Sequence, residues 1–441
     1  MAPVRTLSAE EVVELCRRHT LYDWTAQSAV QPLAVERAQG VHFSTVDGRR
    51  FLDFNSQLMC VNAGHGDRRI IDAIKTQAEQ LAYIGPFAAT EVRARLGEKL
   101  AALLPGDMEK VLLTLGGADA NENALKIARA VTGRHKVLAR YRSYHGAVGN
   151  AIALTGDPRR WPNEAGTAGV VHVLDPYHGI ERGTDSAEEA LANLEEVVQL
   201  EGPATIAAFF LETVTGTNGI LIPPSGYLEG VRELCDRHGI LMVCDEVMTG
   251  FGRTGEWFAV DHWGVVPDLM TMAKGLTSSY IPLGAVAMRP RVAEHFDGEV
   301  FWGGLTYNSH PIGCAAALGA IRAYEEDDMV GNSRRMGEVM AGHLRALESR
   351  HPSVGAVRSI GLFGVIELVR DRRTRTPMAP FNGSSPEMAA VAAFLRENGL
   401  STFVRWNAIS TNPPLCIGRA ELAEGFEILD RALAMADRAV A

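Results

Sequence analysis

Residues Gly226–Glu246 read GYLEGVRELCDRHGILMVCDE, a helical pattern running straight into an apolar strand that ends on two carboxylates. Ser225 is the expected N-cap of a helix over Gly226–His238, and Gly239 stands just past its end, where helices commonly close. Ile240–Glu246 (ILMVCDE) is apolar on both of its alternating faces, so it is expected to be a buried strand. The same alternation recurs on either side. Upstream lie a strand over Lys110–Leu115, a helix over Asp119–Val131, a strand over His135–Tyr141 and the buried run Thr205–Glu212 (TIAAFFLE). Downstream come Asp268–Lys274 (DLMTMAK) and Leu283–Arg289 (LGAVAMR). Strands separated by helices imply βαβ units and a largely parallel sheet.

The flanks differ from this middle. Val41–Phe54 reads as a short hairpin around Asp47-Gly48. The C-terminal part alternates a helix over Asn332–His351, a strand over Gly361–Leu368, a helix over Pro386–Asn398 and a last helix from Arg419. A large central α/β domain, 65–325, with a smaller α+β domain assembled from 1–64 and 326–441, fits this order.

In open parallel sheets ligands bind beyond the carboxyl ends of the strands. Four strands here finish on Gly116-Gly117-Ala118, Glu212, Asp245-Glu246 and Lys274. The glycine turn opens a helix, so its backbone N–H groups suit a phosphate; alone, it is an ordinary βα turn. Asp245 follows a buried strand, where a protonated pyridine nitrogen would compensate its charge; alone, it is a loop or cap aspartate. Glu246 reads as a structural hydrogen-bonding residue. Lys274 ends an apolar strand, where desolvation lowers an amine's pKa and makes it a nucleophile toward an aldehyde; alone, it is a solvated lysine. Tyr144-His145-Gly146 could lay a ring over a flat cofactor and Val247 could cover its other face, although each also reads as local packing. Together these residues make a set for pyridoxal 5'-phosphate (PLP).

Composition excludes several classes. The 441 residues carry a formal charge of −10, unlike a general nucleic-acid binder with its basic face. No apolar run approaches the roughly 18 to 20 residues that span a bilayer. Thr6–Thr20, with Glu10, Glu11 and Glu14 among its apolar positions, reads as an amphipathic surface helix rather than a signal peptide. A cytoplasmic protein is expected. Six scattered cysteines without a C-x-x-C read as reduced, mostly buried thiols. The thirteen histidines show no compact ligand spacing, so no metal site is expected.

Asp245-Glu246-Val247-Met248-Thr249-Gly250-Phe251-Gly252-Arg253-Thr254-Gly255, followed by Pro267-Asp268 and Ala273-Lys274-Gly275, resembles the signature of class III PLP-dependent aminotransferases. The likeness begins at Tyr22-Asp23-Trp24 and passes through Gly64-His65-Gly66 and Ala120-Asn121-Glu122. It continues through Thr306-Tyr307-Asn308-Ser309-His310-Pro311 to Asn412-Pro413-Pro414. It implies the type I PLP fold, with a mainly parallel seven-stranded sheet in the large domain. Lys274 would be the Schiff-base lysine and proton shuttle, and Asp245 the partner of the pyridine nitrogen. Tyr144 and Val247 would sandwich the ring, with His145 and Glu212 beside it, and Gly117 and Ala118 would bind the phosphate. Thr306 would reach the phosphate of a neighbouring subunit, since such enzymes are homodimers, or dimers of dimers, with shared sites.

Two departures stand out. Gly116-Gly117-Ala118 replaces the Ser-Gly-Ser of many relatives, and Glu212-Thr213-Val214-Thr215-Gly216 replaces Glu-Pro-x-x-Gly. Asn55-Ser56-Gln57-Leu58 and GGADANEN over Gly116–Asn123 are similar to the taurine–pyruvate and ω-amino-acid branch, which implies an ω-amino acid or amine as donor and pyruvate as acceptor. Arg405, just before Asn412-Pro413-Pro414, is either the arginine that holds the substrate carboxylate bidentately or a surface arginine. Phe54, Leu58, Phe87 and Trp302 are pocket walls or core. Two other readings compete. Isomerases, epimerases and decarboxylases share the PLP fold and its lysine. Gly250–Gly255 also spells the G-x-G-x-x-G of dinucleotide binders, but EWFAVDHWGVVPD after it lacks the required helix.

Overall fold

In the computed structural model, which describes residues 7–163, 169–176 and 187–440, the central segments form one seven-stranded sheet. Its strands, labelled in chain order, are β1 (Lys110–Thr114), β2 (Lys136–Arg140), β3 (Val170–Val173), β4 (Ile206–Glu212), β5 (Leu241–Asp245), β6 (Leu269–Met272) and β7 (Gly284–Met288). They lie in the order β1-β7-β6-β5-β4-β2-β3. β7 runs antiparallel to β1 and β6, and the other neighbours are parallel.

Every residue of β4 and β5 is buried, as a parallel sheet covered on both faces requires. Alternate residues feed opposite layers. Phe209, Leu211, Met242 and Cys244 join one core, while Ala208, Phe210 and Val243 join the other. The helix Gly117–Thr132 covers that second face with Ala120, Ala124, Leu125, Ile127 and Ala128.

Ser225 does not cap the helix Tyr227–His238. Gly226 takes the cap position at φ +83°, with no side-chain bond to the first turn. The Tyr227 N–H is bonded to the Pro224 carbonyl at 3.1 Å, so the turn after Pro223-Pro224 carries exposed Ser225 past the cap. Gly239 closes the helix in the left-handed region, as expected. The surface helix near the start runs Ala9–His19 with no buried residue, its capping box made by Ser8 and Glu11; Thr6 lies outside the described residues. All six cysteines are free, but only Cys235, Cys244 and Cys314 are buried, so the expectation of mostly buried thiols holds for half of them.

The two chain flanks meet. Val35–Gln39, His42–Thr45 and Arg50–Asp53 form an antiparallel sheet, and Leu400–Ser401 joins it in parallel beside Arg50–Asp53. A further sheet comprises Val354–Ile360, Phe363–Asp371, Ala408–Thr411 and Val404–Arg405, with Thr376–Pro377 paired at its side. Arg253, which follows the central strand β5, ties these parts together. Wholly buried, it donates to the carbonyls of Leu362 (3.0 Å) and Pro413 (2.6 Å), to Ser56 Oγ (3.0 Å) and to Asn62 Oδ1 (2.8 Å). Among the described residues no carboxylate forms an ion pair with it, and burial pulls its pKa down to about 10. Residues 247–258 around it are turns, and only the short 3-10 helix Ala259–Trp263 follows. The glycine-rich stretch is therefore not a strand–turn–helix dinucleotide site. Among the described residues no helix is long and apolar enough to cross a membrane.

Candidate active site

Register brings the chemistry to one rim. Glu212 at the end of β4 sits opposite Asp245 at the end of β5, and Asp245 lies opposite Thr271 of β6. Lys274 follows two residues beyond β6, and the turn from β1 into the helix Gly117–Thr132 opens on the same side.

Asp245 is buried but not bare. Its Oδ2 accepts from Asn121 Nδ2 and pairs with His145 Nδ1, both at 2.8 Å, and its Oδ1 accepts the Val247 N–H at 3.0 Å. Asn121 in turn donates to the His145 carbonyl (2.8 Å) and accepts from Thr271 Oγ1 (2.9 Å). His145 meets the Asp245 carboxylate through Nδ1, and among the described residues its buried Nε2 has no hydrogen-bond partner. The network holds the Asp245 carboxylate at the sheet edge in one orientation.

Lys274 adopts φ +43°, a left-handed conformation that costs a non-glycine residue about 1–2 kcal/mol. The turn that imposes it is closed by the Thr277 and Ser279 N–H groups on the Lys274 carbonyl at 3.3 and 3.1 Å. Burial lowers the pKa of its ammonium against the opposing pull of Cys60, Asp245 and Glu212, and Arg159 adds to the lowering. Its amine makes no ion pair with any described carboxylate.

Glu212 uses both oxygens on backbone, accepting the Tyr144 N–H at 2.9 Å and the Gly216 N–H at 2.8 Å. It thereby fixes the loop carrying Tyr144. Burial raises its pKa; His145 opposes this and Asp245 reinforces it. Glu246 turns away from the rim. It accepts from Thr213 (2.7 Å), Thr249 and the N–H groups of Ala259 (3.0 Å) and Val260 (2.9 Å), the structural role expected of it. Burial nonetheless pushes its pKa up to about 7.

The glycine turn is shaped by its neighbours. A Cβ on Gly117 would stand 2.9 and 3.0 Å from the two methyl carbons of Val247, and one on Gly146 would stand 2.6 Å from Ala118 Cβ. Val247, Gly117, Ala118 and the Tyr144-His145-Gly146 loop therefore close on one space. Extended Gly116 puts no side-chain cap on the helix start.

The family model for class III aminotransferases matches residues 24–433. This chain belongs to that family. The taurine:2-oxoglutarate aminotransferase of Bifidobacterium kashiwanohense, solved in complex with PLP and glutamate, superposes with a TM-score of 0.95 at 39% identity, covering 99% of this chain and 100% of that one. The uncharacterized aminotransferase YhxA of Bacillus subtilis is 36% identical over 411 residues, 89% of each chain. The taurine–pyruvate aminotransferase of Rhodobacter capsulatus is 33% identical over 449 residues, 97% of this chain and 94% of that protein. The aminotransferase reading, rather than the isomerase, epimerase or decarboxylase alternative, is the one this membership supports.

Several residues of this aminotransferase resolve the alternatives left by its sequence. Arg405 is no surface arginine: it turns inward, 3.3 Å from Asp157 Oδ2 and 3.4 Å from the Thr217 carbonyl, over the Trp406 ring. Phe54 is core, fully buried edge-on to Phe426. Leu58, Phe87 and Trp302 are the reverse, exposed in the single chain at 56%, 104% and 86%. Leu58 rides a turn in which Ser56, Gln57 and Met59 all have positive φ. Thr306 is exposed as well, and its carbonyl accepts from Tyr83 Oη at 2.7 Å. Asn121, Asp157 and Arg159 carry much of the site's polar order and were assigned no role from sequence; Asn121 stood in a quoted motif, the other two in none.

Proposed function

We propose that this class III aminotransferase holds PLP on the rim described above and moves an amino group from an ω-amino acid or amine to a keto acid, pyruvate, by a ping-pong reaction. The observation that carries this reading is a buried, triply hydrogen-bonded Asp245 and a buried Lys274, without an ion pair among the described residues, at one sheet edge. The residues present fit the cofactor. Asp245 offers its carboxylate to a protonated ring nitrogen, and Tyr144 and Val247 supply an aromatic ring and a branched apolar side chain of the kind that covers a flat ring. The turn at Gly117 has no room for a side chain, so it offers its backbone and that of Ala118 to a phosphate.

When bound, PLP supplies an aldehyde that amines condense with and a cationic ring that draws electrons from the donor carbon. Lys274, its pKa lowered by burial, is suited to anchor that aldehyde and then, as a free amine, to take a proton from the donor carbon and return it. Asp245 would pair with the protonated ring nitrogen, and His145 and Asn121 hold Asp245 in the orientation for it. Glu212 positions Tyr144 through its backbone. Arg405 receives the substrate carboxylate, and Leu58, Phe87 and Trp302 line the substrate's approach when two chains pair. Thr306 completes the phosphate site of the second chain.

The chain is read as a homodimer of two-domain subunits, 65–325 against 1–64 plus 326–441, acting in the cytoplasm. The meeting of Leu400–Ser401 with Arg50–Asp53 supports the shared small domain. A 2-oxoglutarate acceptor is the second reading, favoured by the name of the Bifidobacterium relative. A visible spectrum of purified enzyme tests both. A yellow band that bleaches with an amino donor and returns with pyruvate supports the proposal, return with 2-oxoglutarate alone transfers it to the second reading, and failure to take up PLP refutes both.

A further inference from the structure

One buried carboxylate holds two arginines beside the proposed site. Asp157 is fully buried, just ahead of the 3-10 helix Pro158–Asn163. Its Oδ1 accepts the Arg159 N–H (3.0 Å) and Arg159 Nε (3.1 Å). Its Oδ2 accepts Arg159 Nε (3.0 Å), Arg159 Nη2, Asn218 Nδ2 (3.3 Å) and Arg405 Nη2 (3.3 Å). Arg159 is thus gripped by a fork and further tied to Thr217 Oγ1 at 2.9 Å, with its guanidinium carbon 3.6 Å above the centre of the Tyr144 ring. Arg405 is held loosely. Its hydrogen bonds are long, 3.3 Å to Asp157 and 3.4 Å to the Thr217 carbonyl, its guanidinium carbon lies 4.2 Å from the Trp406 ring centre, and it sits on the two-residue strand Val404–Arg405.

The charges do not cancel. Two guanidiniums face one carboxylate, and the crowding shows at Arg405: burial first, then Arg159, lowers its pKa, while Asp157 opposes both. Among the described residues hydrogen-bonded in this cluster, two guanidinium cations therefore share a single carboxylate.

We propose that Asp157 is a positioning residue for substrate anions: it keeps Arg405 turned into the site beside Arg159 before any substrate arrives. The weakly held guanidinium is the one an incoming carboxylate takes over, while the fork keeps Arg159 over Tyr144. Without the negative charge, two cations share a part-buried space, and the cheaper relief is for Arg405 to leave toward solvent, taking the anchor with it. Preorganisation of this kind appears in affinity rather than in the chemical step. The inference rests on the reading of Arg405 as the carboxylate anchor.

The test is calorimetric titration of the PLP-loaded enzyme with propionate, a carboxylate that cannot react. Asp157→Asn keeps the shape and removes the charge, and it is expected to weaken propionate binding about tenfold, the loss of one charge-assisted contact. Asp157→Glu restores part of the loss, which a merely disrupted fold would not. Asn218→Ala, which frees one side of the same carboxylate, shifts binding in the same direction by a smaller factor and serves should the asparagine variant not fold. Arg405→Ala tests the underlying reading separately, and in the double variant the two losses should not add. Propionate binding that is unchanged or tighter in Asp157→Asn, while Arg405→Ala weakens it, overturns the role of Asp157 and leaves the anchor standing. Binding unchanged in Arg405→Ala overturns both.

Discussion

Asn121 offers the sharpest test of how the rim is held. Its buried amide donates to Asp245 Oδ2 and to the His145 carbonyl, and its oxygen accepts from Thr271, all within 2.9 Å. Asn121→Ala leaves three polar groups without that partner in a space closed to bulk solvent. Two neutral bonds at about 1 kcal/mol each and one to a carboxylate at about 2 kcal/mol sum to roughly 4 kcal/mol. That is a large share of the roughly 5–15 kcal/mol that keeps a typical domain folded. Urea unfolding of the cofactor-free protein, followed by far-UV circular dichroism, should show the loss as a lower midpoint at unchanged slope. The same variant should retain PLP less well through dialysis, because Asp245 then keeps only His145 and the Val247 N–H to orient it. A stability loss below about 1 kcal/mol together with undiminished PLP retention would refute the idea that Asn121 orders this edge.

Three further perturbations follow. Glu246 has a folded pKa near 7, above the ordinary carboxylate value of 4.5, so the folded state holds a proton that the unfolded chain has released. That preference stabilises fully below pH 4.5 and is lost as pH rises toward 7, at up to about 1.4 kcal/mol per pH unit. Glu246→Gln should remove this slope from the stability difference between the two proteins, whatever its fixed cost, and an unchanged slope across that window would show that Glu246 is ionised throughout. Gly117→Ala should weaken PLP binding, because the new methyl would lie within 3.0 Å of Val247, and adding Val247→Ala should recover most of the affinity; a fluorescence titration of the two variants decides. Lys274→Ala should keep the fold and lower turnover by roughly a thousandfold, and full turnover in that variant would refute the assignment of the proton shuttle.

What was legible in the sequence was what a strand announces locally. IAAFFL in β4 and LMVC in β5 are apolar at every step up to Glu212 and Asp245 because both faces of the sheet are covered, so their ends, and the residues on those ends, could be placed. Asp245, Glu212, Lys274 and the glycine turn come together because parallel strands deliver their carboxyl ends to one edge. The order around Asp157 was not legible. Its partners Arg159, Asn218 and Arg405 meet through loops and a two-residue strand that carry no periodicity, and Arg405 is 248 positions away. The inward turn of Arg405 is a property of that buried charge and leaves no trace near Arg405 itself. Ser225 misled for a related reason: a good capping residue loses its place when a proline pair and a left-handed glycine set where the helix begins.

The parallel pairing of Leu400–Ser401 with Arg50–Asp53 also bears on how the chain is made. Arg50–Asp53 emerges from the ribosome with one edge open, and its partner follows 348 residues after Asp53. At about 5–20 residues per second, the wait is roughly 17 to 70 seconds. The Ser56 and Asn62 acceptors for Arg253 are made early in that time, Leu362 arrives only near its end, and Pro413 comes after it. The newborn enzyme thus spends most of its synthesis with an unzipped flank, the stretch over which a chaperone has most to protect.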